Sequence, residues 1–251
     1  MTDHRVSDEL TRRNRQFYDG LWADAELVPP ERFATWDRVR ALLPASAARL
    51  EIGPGLRPRL PLAGTMFLDL STVALGRLGA AGGLAVGGSV TALPFSDASF
   101  DLVAALDIVE HVADDGAAWR ELARVVRPDG MLLLSVPLHE ADWTAFDGIV
   151  GHGRRYEPDA LQQILAAHGF VVEQSAPFGM RPRSERLTAL GMWFLARMPR
   201  HAMRWYNRVF FPLALRRQKP LALRPGPPET DGVADLFLIC RRRGGPISSR
   251  P

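Results

Sequence analysis

Short apolar runs recur along the chain between turn signals: Leu50 to Ile52, Met66 to Leu70, Leu84 to Val86, Phe100 to Leu106 and Met131 to Val136. A last such run, Ala234 to Cys240, comes only after a long stretch of different character. Several of the gaps carry helical periodicity. Strand runs alternating with helical patterns predict right-handed βαβ units and a parallel sheet buried on both faces.

The leading residues, 1 to 46, read as an amphipathic helical cover, with Phe17, Tyr18, Leu21 and Trp22 spaced to form one apolar stripe. Asp115 to Val126 reads as a helix with acids at its start, ended by Arg127-Pro128-Asp129-Gly130, and Pro158 opens a helix that Gly169 closes. Pro58 and Pro61 leave little room for a regular helix after the first strand, so a loop with at most a short helix is expected there.

Residues 178 to 231 break the pattern. From Arg181 and Arg183 to Arg224 they carry eleven basic residues, against the single acid Glu185 before residue 229, with Trp193, Phe194, Trp205, Tyr206, Phe210 and Phe211 among them. Arg200, Arg204 and Arg208 recur on one helical face, and Met203, Tyr206 and Phe210 fall on another. Strand pattern resumes over 232 to 243, and 244 to 251 reads as a frayed tail.

The candidate chemistry starts at the end of the first strand run. Gly53-Pro54-Gly55 follows Leu50-Glu51-Ile52, and Asp69 closes the next run. A glycine turn lets a ligand approach the strand tip, and a carboxylate on the neighbouring tip can grip ribose hydroxyls. A dinucleotide fingerprint would want a glycine at position 58 opening a helix toward a pyrophosphate, and the chain has Pro58. Glu51 beside the turn also suits a cation better than a phosphate. These details favour S-adenosylmethionine over a dinucleotide.

Joined by Leu93-Pro94-Phe95, Ser99-Phe100-Asp101, Glu110-His111-Val112 and Arg127-Pro128-Asp129-Gly130, these residues make the chain resemble the class I S-adenosylmethionine-dependent methyltransferases of the type 11 kind. The resemblance covers roughly residues 47 to 177 and resumes near 233. It implies an α/β, Rossmann-like fold: a mostly parallel seven-stranded sheet with helices on both faces and a helical insertion before the last strand. It also implies a cofactor site. Gly53 and Gly55 would face the amino acid part of S-adenosylmethionine, Asp69 with Leu70 its ribose, and Leu106 would offer backbone to the amino acid end. Where the family commonly has Gly-Asp at the third strand, this chain has Gly88-Ser89; Ser89 still accepts a hydrogen bond and Val90 still offers its N–H. Leading segments in the family often fold over the cofactor, which makes Tyr18 a candidate contact. Glu51 either faces the cofactor or fixes nearby backbone donors.

Methyl transfer is an in-line displacement on an activated carbon, so the protein mainly aligns the reactants and excludes water. A hydroxyl or carbon acceptor benefits from a base, and His111 and His152 are the candidates. His152 lies in an Asp147-to-Tyr156 stretch resembling an Asp, then Gly-His-x-Arg-Arg-Tyr, pattern of some of these methyltransferases; its polar groups either face the substrate or tie the loop down. No pair of cysteines or histidines has zinc spacing, so no metal is expected.

Composition adds limits. At 251 residues and 47% hydrophobic content, one domain with an elaboration is expected. The net charge of +3 does not establish nucleic-acid binding, which is disfavoured. Cys240 is the only cysteine and the polar start holds no secretion signal, so a reduced, cytoplasmic setting is expected. No segment reaches the roughly 18 apolar residues of a membrane span. The reading is therefore methyl transfer to a small or lipid-like metabolite, with a non-catalytic S-adenosylmethionine-binding module as the alternative. The basic insertion is a lid, or a peripheral membrane contact through residues 186 to 217.

Overall fold

The structure, a computed structural model, describes residues 2–42, 47–179 and 185–244. Arg181, Arg183 and all of the expected tail beyond Gly244 lie outside these described residues.

The first strands fall on the short apolar runs: β1 (Arg49–Ile52), β2 (Thr65–Asp69), β3 (Leu84–Gly87), β4 (Phe100–Leu106) and β5 (Val126–Pro137), the last reaching back through Arg127-Pro128-Asp129-Gly130, which reads as a turn in the sequence. They are followed by β6 (Phe170–Pro177), β7 (Arg224–Pro225) and β8 (Asp235–Arg242) in one sheet ordered β3-β2-β1-β4-β5-β8-β6-β7. The first five are parallel neighbours, and β8 runs antiparallel between β5 and β6. The expected seven strands are present. The eighth, β7, is a two-residue edge paired to Gln174 and Ser175; a segment this short has no readable alternation.

Alternation along the central strands assigns side chains to two cores. Val103, Ala105, Leu132, Leu134, Leu236, Leu238 and Cys240 face one side, with Trp119 and Leu122 of α4 (Asp115–Val125) and Leu161 and Leu165 of α6 (Pro158–Ala167) packed on them. Leu102, Ala104, Leu133, Phe237 and Ile239 face the other, against Val39 of α2 (Trp36–Leu42) and Leu60. Both faces are thus dry, as a parallel sheet requires.

No helix follows β1. Residues 53–64 run as turns and bends past Pro58 and Pro61, as expected. The space is filled by α1 (Thr2–Ala23), whose Leu21 and Trp22 bury against Leu56 and Ala74, with Phe17 and Tyr18 beside them. Ser71 caps α3 (Thr72–Ala80) by accepting the Ala74 N–H. A short α5 (Ala145–Val150) ends at Gly151, whose positive φ of 84° allows the reversal into the next loop.

The insertion contains α7 (Glu185–Arg197), α8 (Pro199–Trp205), a π turn over Tyr206–Phe210, and α9 (Phe211–Arg217). It docks on the leading segment. Phe211 and Leu215 pack against Phe33, Arg204 pairs with Asp24 at 3.0 Å, and the Asn207 amide donates to the Leu21 carbonyl at 2.7 Å.

Candidate cofactor-binding site

Strand order reverses between β1 and β4, and a cleft of about 260 Å³ opens at the carboxyl ends of β1, β2 and β4. This is where open α/β sheets bind ligands. Of the cofactor candidates, Tyr18, Glu51, Gly53, Asp69, Leu70, Ser89, Val90 and Leu106 all line it. Gly55 does not. Its N–H donates to Asp69 Oδ2 at 2.9 Å, while its Cα lies under the Trp22 indole, where a Cβ would collide with the ring. Gly53 has φ of 61° and abuts the Ile108 side chain in the same way.

Asp69 is buried and accepts from Gly55 and, through Oδ1, from Ser71 N–H at 2.8 Å. A carboxylate offers about four acceptor positions, so the two N–H donors orient it and leave lone pairs for further donors. Burial raises its pKa from the usual range, and the backbone donors oppose that rise. Glu51 accepts from the N–H groups of Arg59 and Leu60, which folds the helix-less segment back onto β1. Burial pushes its carboxyl from 4.5 up to about 7.

Ser89 Oγ shares a hydrogen bond with Thr91 Oγ1 at 2.8 Å. Asp107, at φ 55°, accepts from Ser135 Oγ at 2.8 Å and lines the cleft beside Leu106.

His111 forms part of the cleft wall, whereas His152 stands behind it with ring centroids 4.6 Å apart, edge to face. The Gly151 carbonyl can only accept, so at 3.2 Å it takes the His111 Nδ1 proton and leaves Nε2 to receive the Tyr18 hydroxyl at 3.3 Å. Burial lowers the His111 pKa to about 3, making it a neutral acceptor. His152 Nδ1 meets Asp147 Oδ1 at 2.8 Å, and its Nε2 stands 3.9 Å from Glu110 Oε1. Burial lowers the His152 pKa, against the pull of Asp147. The polar groups of the 147–156 stretch tie the loop to the body: Arg155 grips Asp147 at 2.9 and 3.0 Å, and both Arg154 and Tyr156 engage Asp115.

Sequence reasoning missed two arginines. Arg57 is stacked 3.5 Å from the Phe211 ring centroid and 5.0 Å from those of Trp22 and Tyr206, and it donates to Asn207 Oδ1 at 2.9 Å. Arg59 lies 3.5 Å from the Phe33 centroid, and burial lowers its pKa to about 10. The stacks join the segment after the glycine turn to the insertion and the leading residues. The Pro-rich spacing around these arginines was the available signal, since a chain denied a helix must be held by side chains.

Residues 53–134 match the methyltransferase-domain family. Over that stretch, about a third of its length, the chain is similar to the class I S-adenosylmethionine-dependent methyltransferases. This likeness implies S-adenosylmethionine as the cofactor. A probable S-adenosylmethionine-dependent methyltransferase of Mycobacterium tuberculosis is 36% identical over 81 residues, covering 32% of this chain and 30% of that protein. A demethylmenaquinone methyltransferase of the same species is 38% identical over 122 residues, covering 41% of this chain and 51% of its own length. The aligned part thus spans from about a third to half of these relatives. Among solved structures, a methyltransferase of Thermotoga maritima, described as a possible histamine N-methyltransferase, superposes with a TM-score of 0.56 at 16% identity, covering 96% of this chain and 95% of its own. The cyclase SpnF shares the fold at a TM-score of 0.55 and 19% identity, covering 83% of this chain and 80% of its own. These last two likenesses concern the fold alone. No described helix is long and apolar enough to cross a membrane.

Proposed function

We propose that the protein transfers the methyl group of S-adenosylmethionine to a small or lipid-like metabolite bearing an oxygen, nitrogen or carbon nucleophile. The observation that carries this reading is Asp69, a buried carboxylate held by two backbone donors at the tip of β2 inside the cleft.

The cleft suits the cofactor chemically. Asp69 has acceptor capacity for ribose hydroxyls, and Glu51, Asp69 and Asp107 make its wall acidic, which favours a positively charged sulfur and amine. Leu68, Leu70 and Val90 supply apolar surface for an aromatic base, with the Ser89 hydroxyl at its edge. Bound there, the cofactor would supply a methyl carbon already activated by its sulfonium, which an acceptor lone pair takes as the carbon–sulfur bond breaks. Tyr18 and Trp22 cover the cleft from α1 and exclude water. His111, neutral and facing the cleft, would orient an acceptor hydroxyl through Nε2 in place of Tyr18. His152 would act on the reaction through His111, since it does not line the cleft.

A lipid-like acceptor is favoured by the outer surface of the lid. Leu190, Trp193, Trp205, Val209, Phe210 and Leu213 are exposed there, with Arg197, Arg200, Arg208 and Arg216 exposed among them. Large apolar side chains beside arginines suit the boundary of an anionic bilayer.

Calorimetric titration of the parent and of Asp69→Ala with S-adenosylmethionine tests the site. The parent should bind one equivalent and the variant at least about tenfold more weakly, as expected when charge-assisted hydrogen bonds are lost; equal affinities would overturn the assignment. Sustained S-adenosylhomocysteine release with metabolite or lipid extracts separates turnover from mere binding.

A further inference from the structure

Glu110 is fully buried, and neither of its side-chain oxygens has a hydrogen-bond partner among the described residues. Leaving an acceptor in that state costs free energy unless something meets it. Beyond its own backbone N–H, the His152 ring stands beside Glu110. Asp147 takes the Nδ1 proton of His152, so His152 Nε2 presents a lone pair toward Glu110 Oε1 across 3.9 Å. One ligand atom from each of Glu110, His111 and His152 lies within 4.8 Å of the others. A cation set among the three groups would meet the buried carboxylate and both imidazoles at once.

From this convergence we infer that Glu110, His111 and His152 form a divalent metal site, of the zinc type, in the wall of the cleft. Two imidazoles and one carboxylate form a ligand set that zinc uses in catalytic sites, where a remaining position stays open. The supporting groups fit as well. Metal-bound histidines usually donate their second nitrogen to a carboxylate or a backbone carbonyl; here His152 meets Asp147 and His111 meets the Gly151 carbonyl. Asp147 is itself fixed by Arg155 and Thr144. Zinc bonds of about 2.0–2.2 Å require the three ligand atoms to draw together by up to about 1.5 Å, through side-chain rotation. The sequence expectation of no metal rested on local spacing, whereas His152 reaches this cluster from a different loop. His111 lines the cleft, so the open position would face the entering substrate. On the methyltransferase reading, a metal on His111 Nε2 displaces the Tyr18 hydroxyl from it, and the acceptor oxygen then meets the metal in place of the imidazole.

The test uses the untagged full chain and Zn²⁺ alone, titrated against a chromophoric chelator. One equivalent should bind, and Glu110→Gln and His152→Ala should each weaken binding by at least about 100-fold, beyond the roughly 10- to 100-fold typical of supporting residues. Circular dichroism must show both variants folded. Should either fail to fold, X-ray absorption of the Zn²⁺-loaded parent decides: two imidazole nitrogens with oxygen support the site, and sulfur or a lack of imidazole overturns it. No stoichiometric binding, or equal binding in the folded variants, also overturns it; a proton shared between Glu110 and His152 would give the first result. Asp69→Ala should leave the Zn²⁺ titration unchanged, so failure of the metal site and failure of the cofactor site are distinguishable.

Discussion

Asp147 and Arg155 form an ion pair in which neither side chain is exposed, with Arg155 Nη2 at 2.9 and 3.0 Å from the two carboxylate oxygens. The pair joins the start of α5 to the loop that carries His152. Removing one partner of a buried pair leaves the other charged and dry, which typically costs about 3–5 kcal/mol. Asp147→Asn should lose stability on that scale in denaturant unfolding. A loss below about 1 kcal/mol would mean that water reaches the Arg155 guanidinium.

Gly55→Ala puts a methyl group where the Trp22 indole lies and does so at a φ of 55°. Strain of this kind costs about 1–3 kcal/mol. Trp22→Ala relieves the collision without the strain, so the double variant should be less destabilised than the two single losses added together. Strict additivity in the cycle would show that the indole does not cover this turn.

Glu51 should give two pH slopes of opposite sign. Its folded carboxyl titrates at about 7, above the ordinary 4.5, so the neutral form is favoured in the fold. The associated stability is full below 4.5 and lost as pH rises through about 7. The free protein should therefore melt at a higher temperature near pH 5 than near pH 8. A cationic cofactor prefers the ionised form, so its affinity should instead rise across the same interval. Glu51→Gln should flatten both slopes, and a binding profile unchanged in the variant would remove Glu51 from the cofactor site.

The lid should carry the protein to anionic vesicles at low salt, with less binding to zwitterionic ones. Replacing Trp193 and Trp205 together by alanine should cut co-sedimentation affinity at least about tenfold, because two large exposed rings are withdrawn from the interface. Equal sedimentation of parent and variant would leave the lid as a solvent-facing cover.

Much of this arrangement is legible along the chain. Nearly unbroken apolar runs at Phe100–Leu106 and Met131–Val136 report a sheet covered on both sides, and Pro58 with Pro61 reports the missing helix, because proline lacks the N–H a helix needs. The tips of β1 and β2 follow directly from those strands, so Glu51, Gly53 and Asp69 are found together. Contacts across the chain are less visible. Trp22 reads as one member of an apolar stripe, yet its indole covers Gly55; Arg57 reads as a loop charge, yet three aromatic rings surround it. The expected basic face of residues 200 to 208 is divided, with Arg204 drawn back to Asp24 while Arg200 and Arg208 stay exposed. Such pairings depend on how separate segments meet, which local spacing does not encode.

The position of β8 has a consequence for biosynthesis. It slots between β5 and β6, yet the whole lid is translated before it. Until residue 242 leaves the ribosome, two strand edges stand open on the nascent domain, ready to pair with any neighbouring chain. The lid is thus a detour that delays closure of the sheet. A longer detour lengthens the interval in which those two edges stay open.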